Sequence, residues 1–205
     1  MYGLLLLYFV RKLKFNLSSI LLLVIIALIY DNLIISIGKF IGEGDLLETL
    51  NIARFWLHAL FTPTLIVFSY AILRESKIAW AQSTITTITT ILLTCVAIIA
   101  ELFAIRNLKI SATFEYGALS YSPTSEQIHL PIMMVLVILA LLITAIVFIK
   151  RFKWWWILNG LIVMGISSAV PIQIHSNALT NISEFILILT LVFTKKRVDL
   201  GISRE

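Results

Sequence analysis

Long, nearly uncharged apolar runs are the feature of this sequence that most limits its fold. Residues 17–37 contain one charged residue and residues 130–149 contain none. A helix that crosses a membrane needs about 20 such residues, whereas the core of a soluble domain does not. The composition agrees, because 60% of the 205 residues are hydrophobic and only 13% are charged. We therefore predict an all-α fold, a polytopic integral membrane helix bundle that forms one domain over residues 1–205.

We predict about six spans and no separate soluble domain. Continuous apolar runs favour helices over strands, because a transmembrane strand alternates apolar and polar residues. The predicted spans are 17–37, 55–73, 78–100, 130–149, 154–172 and 178–194. Residues 1–16 are expected to form an interfacial segment with a basic flank on the inner face, or alternatively to join the first span as one tilted helix. Residues 101–129 are an outer loop, and 195–205 form a basic cytoplasmic tail.

The positions of the basic residues predict the orientation. With both termini inside, 12 of the 16 Lys and Arg residues fall in inner segments and 4 in outer segments. Cytoplasmic loops carry such an excess of positive charge. The net charge of +5 is small and is concentrated at span ends, so a nucleic-acid partner is not expected. The short chain and short loops suggest a multi-pass protein of a prokaryotic plasma membrane, with membrane lipid as its partner.

Two local signals concern the outer half of the bundle. Pro63 lies inside the second predicted span and should kink it, because proline removes a backbone donor. The β-branched and aromatic residues around Gly117 predict a short hairpin or an irregular lid in the outer loop. The single cysteine, Cys95, lies deep in an apolar run and is expected to be an inert buried thiol.

Polar residues collect in one outer layer of the predicted bundle. Arg54, His58 and Thr62 follow one another at four-residue steps, so they share a helical face. Ionisable groups at membrane depth are costly and normally face the bundle interior or a water-filled cavity. We therefore predict one cavity that opens outward. The candidate catalytic residues are His58, Asp31, Glu184 and Glu101. The candidate substrate-binding residues are Arg54, Asn32, Asn181, His175, Tyr116 and His129.

This set of residues suits a membrane-embedded hydrolase or transferase that acts on a lipid or lipid-linked substrate. A histidine titrates near neutral pH, so His58 could act as general base or acid. Asp31 or Glu184 could orient it or activate water, and the guanidinium of Arg54 could hold an anionic headgroup. A structural alternative exists for each residue: His58 could bond a neighbouring helix, and Asn181 with Glu184 could join two helices.

The sequence leaves cofactors and two other functions open. Three histidines with acids could bind a catalytic zinc, but no His-x-x-x-His or His-Glu-x-x-His pair is present, so this support is weak. A small transporter or proton-coupled carrier is the first alternative. Its conduit would be the hydroxyl residues that run from Ser83 to Thr94, although these residues are more simply explained by helix packing. A structural or accessory subunit of a membrane complex is the second alternative.

Overall fold

The computed structural model is a mostly helical bundle that describes residues 1–115, 117–124, 131–169 and 178–201. Of residues 168, 169, 178 and 179 it describes the helical backbone alone. Four helical segments are long and apolar enough to cross a membrane: Leu17–Ile41, Asp45–Glu75, Thr84–Ile105 and Ile132–Phe152. The all-α class and the membrane-spanning character of the sequence are therefore supported by the structure.

The elements follow one another with short connections. The helices are α1 (Tyr2–Lys12), α2 (Leu21–Ile41), α3 (Asp45–Phe61), α4 (Thr64–Glu75), α5 (Thr84–Ile105), α6 (Ile132–Phe152), α7 (Trp156–Ala169) and α8 (Ala178–Asp199). Single 3-10 turns precede α2 and α5, at Leu17–Ile20 and Ala79–Gln82. An antiparallel hairpin of β1 (Ile110–Glu115) and β2 (Ala118–Pro123) stands between α5 and α6.

The last two predicted spans differ from the other four. Helix α7 is a shorter apolar helix, with 14 residues described. Helix α8 has 22 residues but a lower mean hydropathy, because it contains Glu184 and the basic run Lys195–Arg197. The two helices pack along each other, and the hydroxyl of Ser167 donates to that of Ser183 at 2.8 Å.

Helices α2 and α3 form a longer helical hairpin than the sequence predicts. The predicted spans left residues 38–54 outside the membrane, but α2 continues to Ile41 and α3 begins at Asp45. Asp45 and Glu48 lie in the first turn of α3, where acidic side chains stabilise the positive end of the helix dipole. Arg54 is therefore in the middle of a helix rather than at the outer end of one.

The helix that carries the candidate site is interrupted at Pro63. Helix α3 ends at Phe61, α4 begins at Thr64, and the Thr62 N–H still donates to the His58 carbonyl at 3.0 Å. A proline has no N–H to continue this pattern. The sequence predicts a kink at this proline, and the structure divides the helix into α3 and α4 there, one turn beyond His58.

Helix α1 packs lengthwise against α2 and α8, which differs from a segment lying flat on the inner face. Its first residues lie beside Asn181 at the start of α8, so the prediction that both termini are on the inner side does not match this packing. Its buried stripe consists of Tyr2, Leu5 and Phe9. The ring of Tyr2 contacts Phe185 near the start of α8, while the backbone N–H of Lys14 donates to Asp199 near its end. The apolar stripe at helical spacing explains this placement, because it is buried only when α1 runs alongside its neighbours.

A buried charged cluster joins the opposite ends of the chain. Lys195 is 0% exposed, and its ammonium group donates to Asn16 Oδ1 at 2.6 Å and to Ser18 Oγ at 2.9 Å. It also lies 3.3 Å from Asp199 Oδ2. The hydroxyl of Ser18 donates to Glu75 Oε2 at 2.8 Å. Lys195 and Asp199 belong to the predicted cytoplasmic tail, so their burial in the structure differs from the sequence-based expectation.

Helix α5 exposes most of its surface. Cys95 is free and exposed on it, so its depth in the apolar run did not mean burial within the protein. The hydroxyls of Thr90 and Thr94 donate to carbonyls one turn earlier in the same helix, each at 2.8 Å. These hydroxyls are thus engaged by their own backbone, as expected from the helix-packing explanation.

Candidate functional site

The β-hairpin packs on the α2–α3 pair near the link that joins these two helices. Ile34, Leu47 and Tyr121 form a small apolar cluster there. A Cβ on Gly38 would lie 2.0 Å from the carbonyl oxygen of Leu119, so only glycine allows β2 to approach this closely. The hairpin therefore covers part of the space between α2, α3 and α8.

That space is a cavity of about 190 Å³, which we call the central cavity. Its lining combines two carboxylates, one guanidinium, one imidazole and one side-chain amide with the end of β2. Its polar lining residues are Asp31, Arg54, His58, Asn181, Glu184, Thr180 and Ser122. Five of the ten candidate residues thus line one cavity, from three different helices.

Asp31 and Arg54 form an ion pair at one wall of the central cavity. The Nε–H of Arg54 donates to Asp31 Oδ1 at 2.7 Å. The side chain of Asp31 is 26% exposed and that of Arg54 is 10% exposed. The Nη1–H of Arg54 also donates to Oδ1 of Asn51. Two of the five guanidinium donors are therefore engaged within the protein.

Asn51 links this ion pair to the hairpin. It is fully buried, and its Oδ1 also accepts a hydrogen bond from the backbone N–H of Tyr121 at 3.2 Å. Its own amide donates to the carbonyl of Leu47 at 2.7 Å. One side-chain oxygen therefore holds both Arg54 and β2. Asn51 is not among the candidates predicted from the sequence, although it precedes Arg54 by three residues and extends the polar face of α3 by one turn.

His58 lies between the central cavity and a neighbouring cavity. Its Nδ1 is 3.2 Å from the hydroxyl of Thr62, its neighbour at four residues. Within the part of the chain that the structure describes, its Nε2 has no hydrogen-bond partner. The imidazole is therefore held at one nitrogen and available at the other.

Glu184 reaches the central cavity from α8 and is half-buried. Among the described residues its carboxylate has no hydrogen-bond partner, in contrast to Asp31. Asp31 and Arg54 are its charged neighbours. With respect to the described residues, the cavity thus offers one carboxylate and one imidazole nitrogen without a hydrogen-bond partner, beside an ion pair that is already formed.

The neighbouring cavity has a volume of about 300 Å³ and is lined mainly by apolar side chains of α5 and α6. We call it the methionine cavity, after Met133 and Met134. Phe55, His58 and Pro123 line both cavities. Glu101 lies in the methionine cavity, so the structure places it on the other side of His58 from Asp31 and Glu184.

A third cavity, of about 420 Å³, lies on the α1 side and is called here the N-terminal cavity. It contains Tyr2 and Asn32, and it shares Asn181 with the central cavity. The amide of Asn32 donates to the carbonyl of Leu28 in its own helix at 2.9 Å. Asn32 therefore does not line the central cavity.

Three candidate residues, Tyr116, His129 and His175, lie outside the described residues. Within the described ranges, no three His, Cys, Asp or Glu side chains come together in a way that could hold a metal ion. A ligand set that uses His129 or His175 lies outside that statement. His58 with Glu184 alone does not make a zinc site, because zinc requires three or more protein ligands.

Comparison with known proteins returned no similarity: no protein-family model, no curated protein and no solved structure matches the chain.

Proposed function

We propose that the central cavity is the active site of a membrane-embedded hydrolase or transferase that acts on a lipid or lipid-linked substrate. One observation carries the proposal: among the described residues, Nε2 of His58 and the carboxylate of Glu184 have no hydrogen-bond partner, and both belong to the same cavity beside the Asp31–Arg54 ion pair. A protein that used these groups only as interhelical contacts would pair them, because unpaired polar groups at membrane depth are costly.

The proposed roles follow from which atoms remain free. Nε2 of His58 accepts a proton from water or from an acceptor hydroxyl, and the resulting oxygen nucleophile attacks the acyl or phosphoryl centre of the substrate. The bond from that centre to the leaving oxygen then breaks, and the leaving oxygen takes the proton back from His58. The carboxylate of Glu184 orients the nucleophile and stabilises the imidazolium while it exists. Thr62 holds the ring through Nδ1.

Arg54 has a smaller part in this proposal than its charge alone suggests. Asp31 and Asn51 take its Nε–H and one Nη1–H, which leaves the remaining donors for the substrate. Asp31 also neutralises it, so the cavity does not carry a free positive charge. We therefore assign Asp31 and Asn51 to positioning, and Arg54 to a neutral, directional contact with a substrate oxygen.

We further propose six spans with the central cavity on the outer side of a plasma membrane. The charge distribution supports this orientation. Cysteines at Glu43 and Ala79, both exposed, test it in a Cys95→Ala background. A membrane-impermeant maleimide added to intact cells should label the Glu43→Cys variant, and should label the Ala79→Cys variant only after the cells are opened. The opposite pattern would place the cavity on the cytoplasmic side.

The enzymatic proposal is tested by the lipid profile of host cells. Expression of the protein should change one class of lipid or lipid-linked compound, measured by mass spectrometry of whole-cell extracts. His58→Ala and Glu184→Gln should abolish this change while the variants accumulate normally and melt at the temperature of the original protein. Glu43→Gln is the control, because this exposed acid lies in the α2–α3 link.

The proposal fails if His58→Ala and Glu184→Gln alter the lipid profile as strongly as the original protein does. A lipid profile that never changes, combined with uptake of a solute that Glu184→Gln abolishes, would instead support the transporter alternative.

A further inference from the structure

The methionine cavity adjoins the proposed reactive nitrogen on its apolar side. It lies among Phe55, Ala104, Ile105, Met133 and Met134, next to His58. Glu101 also lines this cavity, whereas the central cavity on the other side of His58 contains Asp31, Arg54 and Glu184. A single imidazole therefore stands at the boundary between a charged space and a mainly apolar one.

We propose that the methionine cavity holds the hydrocarbon chain of the substrate while the polar group of the same molecule lies in the central cavity. This inference rests on the proposed function and narrows its substrate class to an amphiphile with a flexible alkyl, acyl or prenyl chain. The reacting bond would then lie at the junction of chain and polar group, which is where His58 stands.

The lining of the cavity suits a hydrocarbon chain. Burial of apolar surface favours binding by roughly 25 cal/mol for each Å² removed from water. Methionine side chains are flexible and polarisable, so they can adapt to chains of different shape. A compact polar ligand would gain little from such walls.

The cavity also lies next to exposed apolar surface of α5 and α6, two helices that are long and apolar enough to cross a membrane. Met133 is 4% exposed, whereas its neighbour Met134 is 50% exposed and Phe103 of α5 is 67% exposed. Met134 lines the cavity and belongs to the outer surface as well. A chain could therefore enter between α5 and α6 from the bilayer without passing through water.

The N-terminal cavity is a weaker candidate for this chain. Among the described residues, it shares only Asn181 with the central cavity, and it does not include His58. A hydrocarbon chain held in the N-terminal cavity would lie near Glu184 of α8 but away from the imidazole of His58.

Photolabelling of the full-length protein tests the inference. The probe is a phosphatidylglycerol with a diazirine in its acyl chain, present in trace amounts in vesicles of phosphatidylethanolamine and phosphatidylglycerol. After irradiation, peptide mass spectrometry should find adducts on Met133, which bulk lipid does not reach, and on Ile138, which is 42% exposed and reports bulk lipid.

Ala104→Trp should fill the cavity and reduce the Met133 adduct about tenfold, a change that corresponds to ~1.4 kcal/mol of binding free energy. The Ile138 adduct should not change. Ala104→Leu is a smaller replacement that should act in the same direction if the tryptophan variant does not fold. Absence of the Met133 adduct, or an adduct that neither variant reduces, would overturn the inference.

His58→Ala separates this inference from the proposed function. The variant should keep the Met133 adduct, because the chain does not depend on the imidazole for binding, and should lose the effect on host lipids. If His58→Ala abolishes the effect on host lipids but Met133 is never labelled, the inference alone is wrong. If Met133 is labelled but His58→Ala leaves the effect on host lipids intact, the proposed function is wrong.

Discussion

Arg54 of α3 donates from Nε to Oδ1 of Asp31 in α2 at 2.7 Å, and this ion pair forms one wall of the central cavity. The two residues are 23 positions apart in the chain, and the tight turn between their helices places them opposite each other. Both charges lie in helical segments that are long and apolar enough to cross a membrane, where each charge needs the other as a partner.

Asp31→Asn should lower the free energy of unfolding by about 1–3 kcal/mol, because Arg54 then loses its counter-charge. Arg54→Gln should have a similar effect. The double variant should lose less than the sum, with a coupling energy of about 0.5–3 kcal/mol, because the charges are removed together. Unfolding in mixed detergent micelles gives the free energy of unfolding of the original protein, the two single variants and the double variant. Strictly additive losses of this free energy would show that the two charges are not coupled.

Asn51→Ala should loosen the hairpin, and it should also remove a hydrogen bond of Arg54. The substitution removes the acceptor of the Tyr121 N–H, and a buried donor without a partner costs about 1–3 kcal/mol. Hydrogen–deuterium exchange should become faster in residues 118–123 while α6 remains protected. Thr113→Val is the control, since its hydroxyl bonds only within the hairpin. Unchanged exchange in β2 would show that Asn51 does not hold the hairpin.

Gly38→Ala should displace the hairpin by steric conflict. The added Cβ would lie 2.0 Å from the carbonyl oxygen of Leu119, a backbone atom that cannot rotate away. Ser120 is 6% exposed, so the Ser120→Cys variant (in a Cys95→Ala background) should react slowly with maleimide. Gly38→Ala should accelerate that reaction. A Cβ at Gly3 would meet nothing within 4 Å, so Gly3→Ala should leave the rate of the maleimide reaction unchanged. Equal reaction rates in the Gly38→Ala and Gly3→Ala variants would contradict the packing described for β2.

Lys195→Met should destabilise the protein by about 3–5 kcal/mol, because it leaves the buried carboxylate of Asp199 without its ammonium partner. The matched control is Lys196→Met, one residue further along α8. Lys196 is exposed and lies over the ring of Tyr8 at 5.4 Å, so its loss should cost at most about 1 kcal/mol. Thermal unfolding of the two variants compares them directly, and equal melting temperatures would mean that the cluster around Lys195 does not stabilise the fold.

The membrane character, the interruption at Pro63 and the common layer of polar residues could be predicted from the sequence. A helix advances about 1.5 Å per residue, so the position of a residue in a span determines its depth once the span is known. For that reason the sequence predicts one layer that holds Asp31, Arg54, His58, Asn181 and Glu184, which line one cavity in the structure. It predicts Asn32 and Glu101 in the same layer, but the structure places these two in the neighbouring cavities. Whether they catalyse a reaction stays a prediction.

The tertiary structure decided which of these groups are engaged and which are free. Asp31 binds Arg54, Asn51 joins Arg54 to β2, and Glu184 has no hydrogen-bond partner among the described residues. It also decided that α1 packs lengthwise and that Lys195 is buried. Periodicity cannot determine these contacts in a chain of this class, because lipid and helix interfaces are both apolar. A uniformly apolar helix therefore does not reveal which face meets its neighbours, and that face depends on packing between segments that are distant in the sequence.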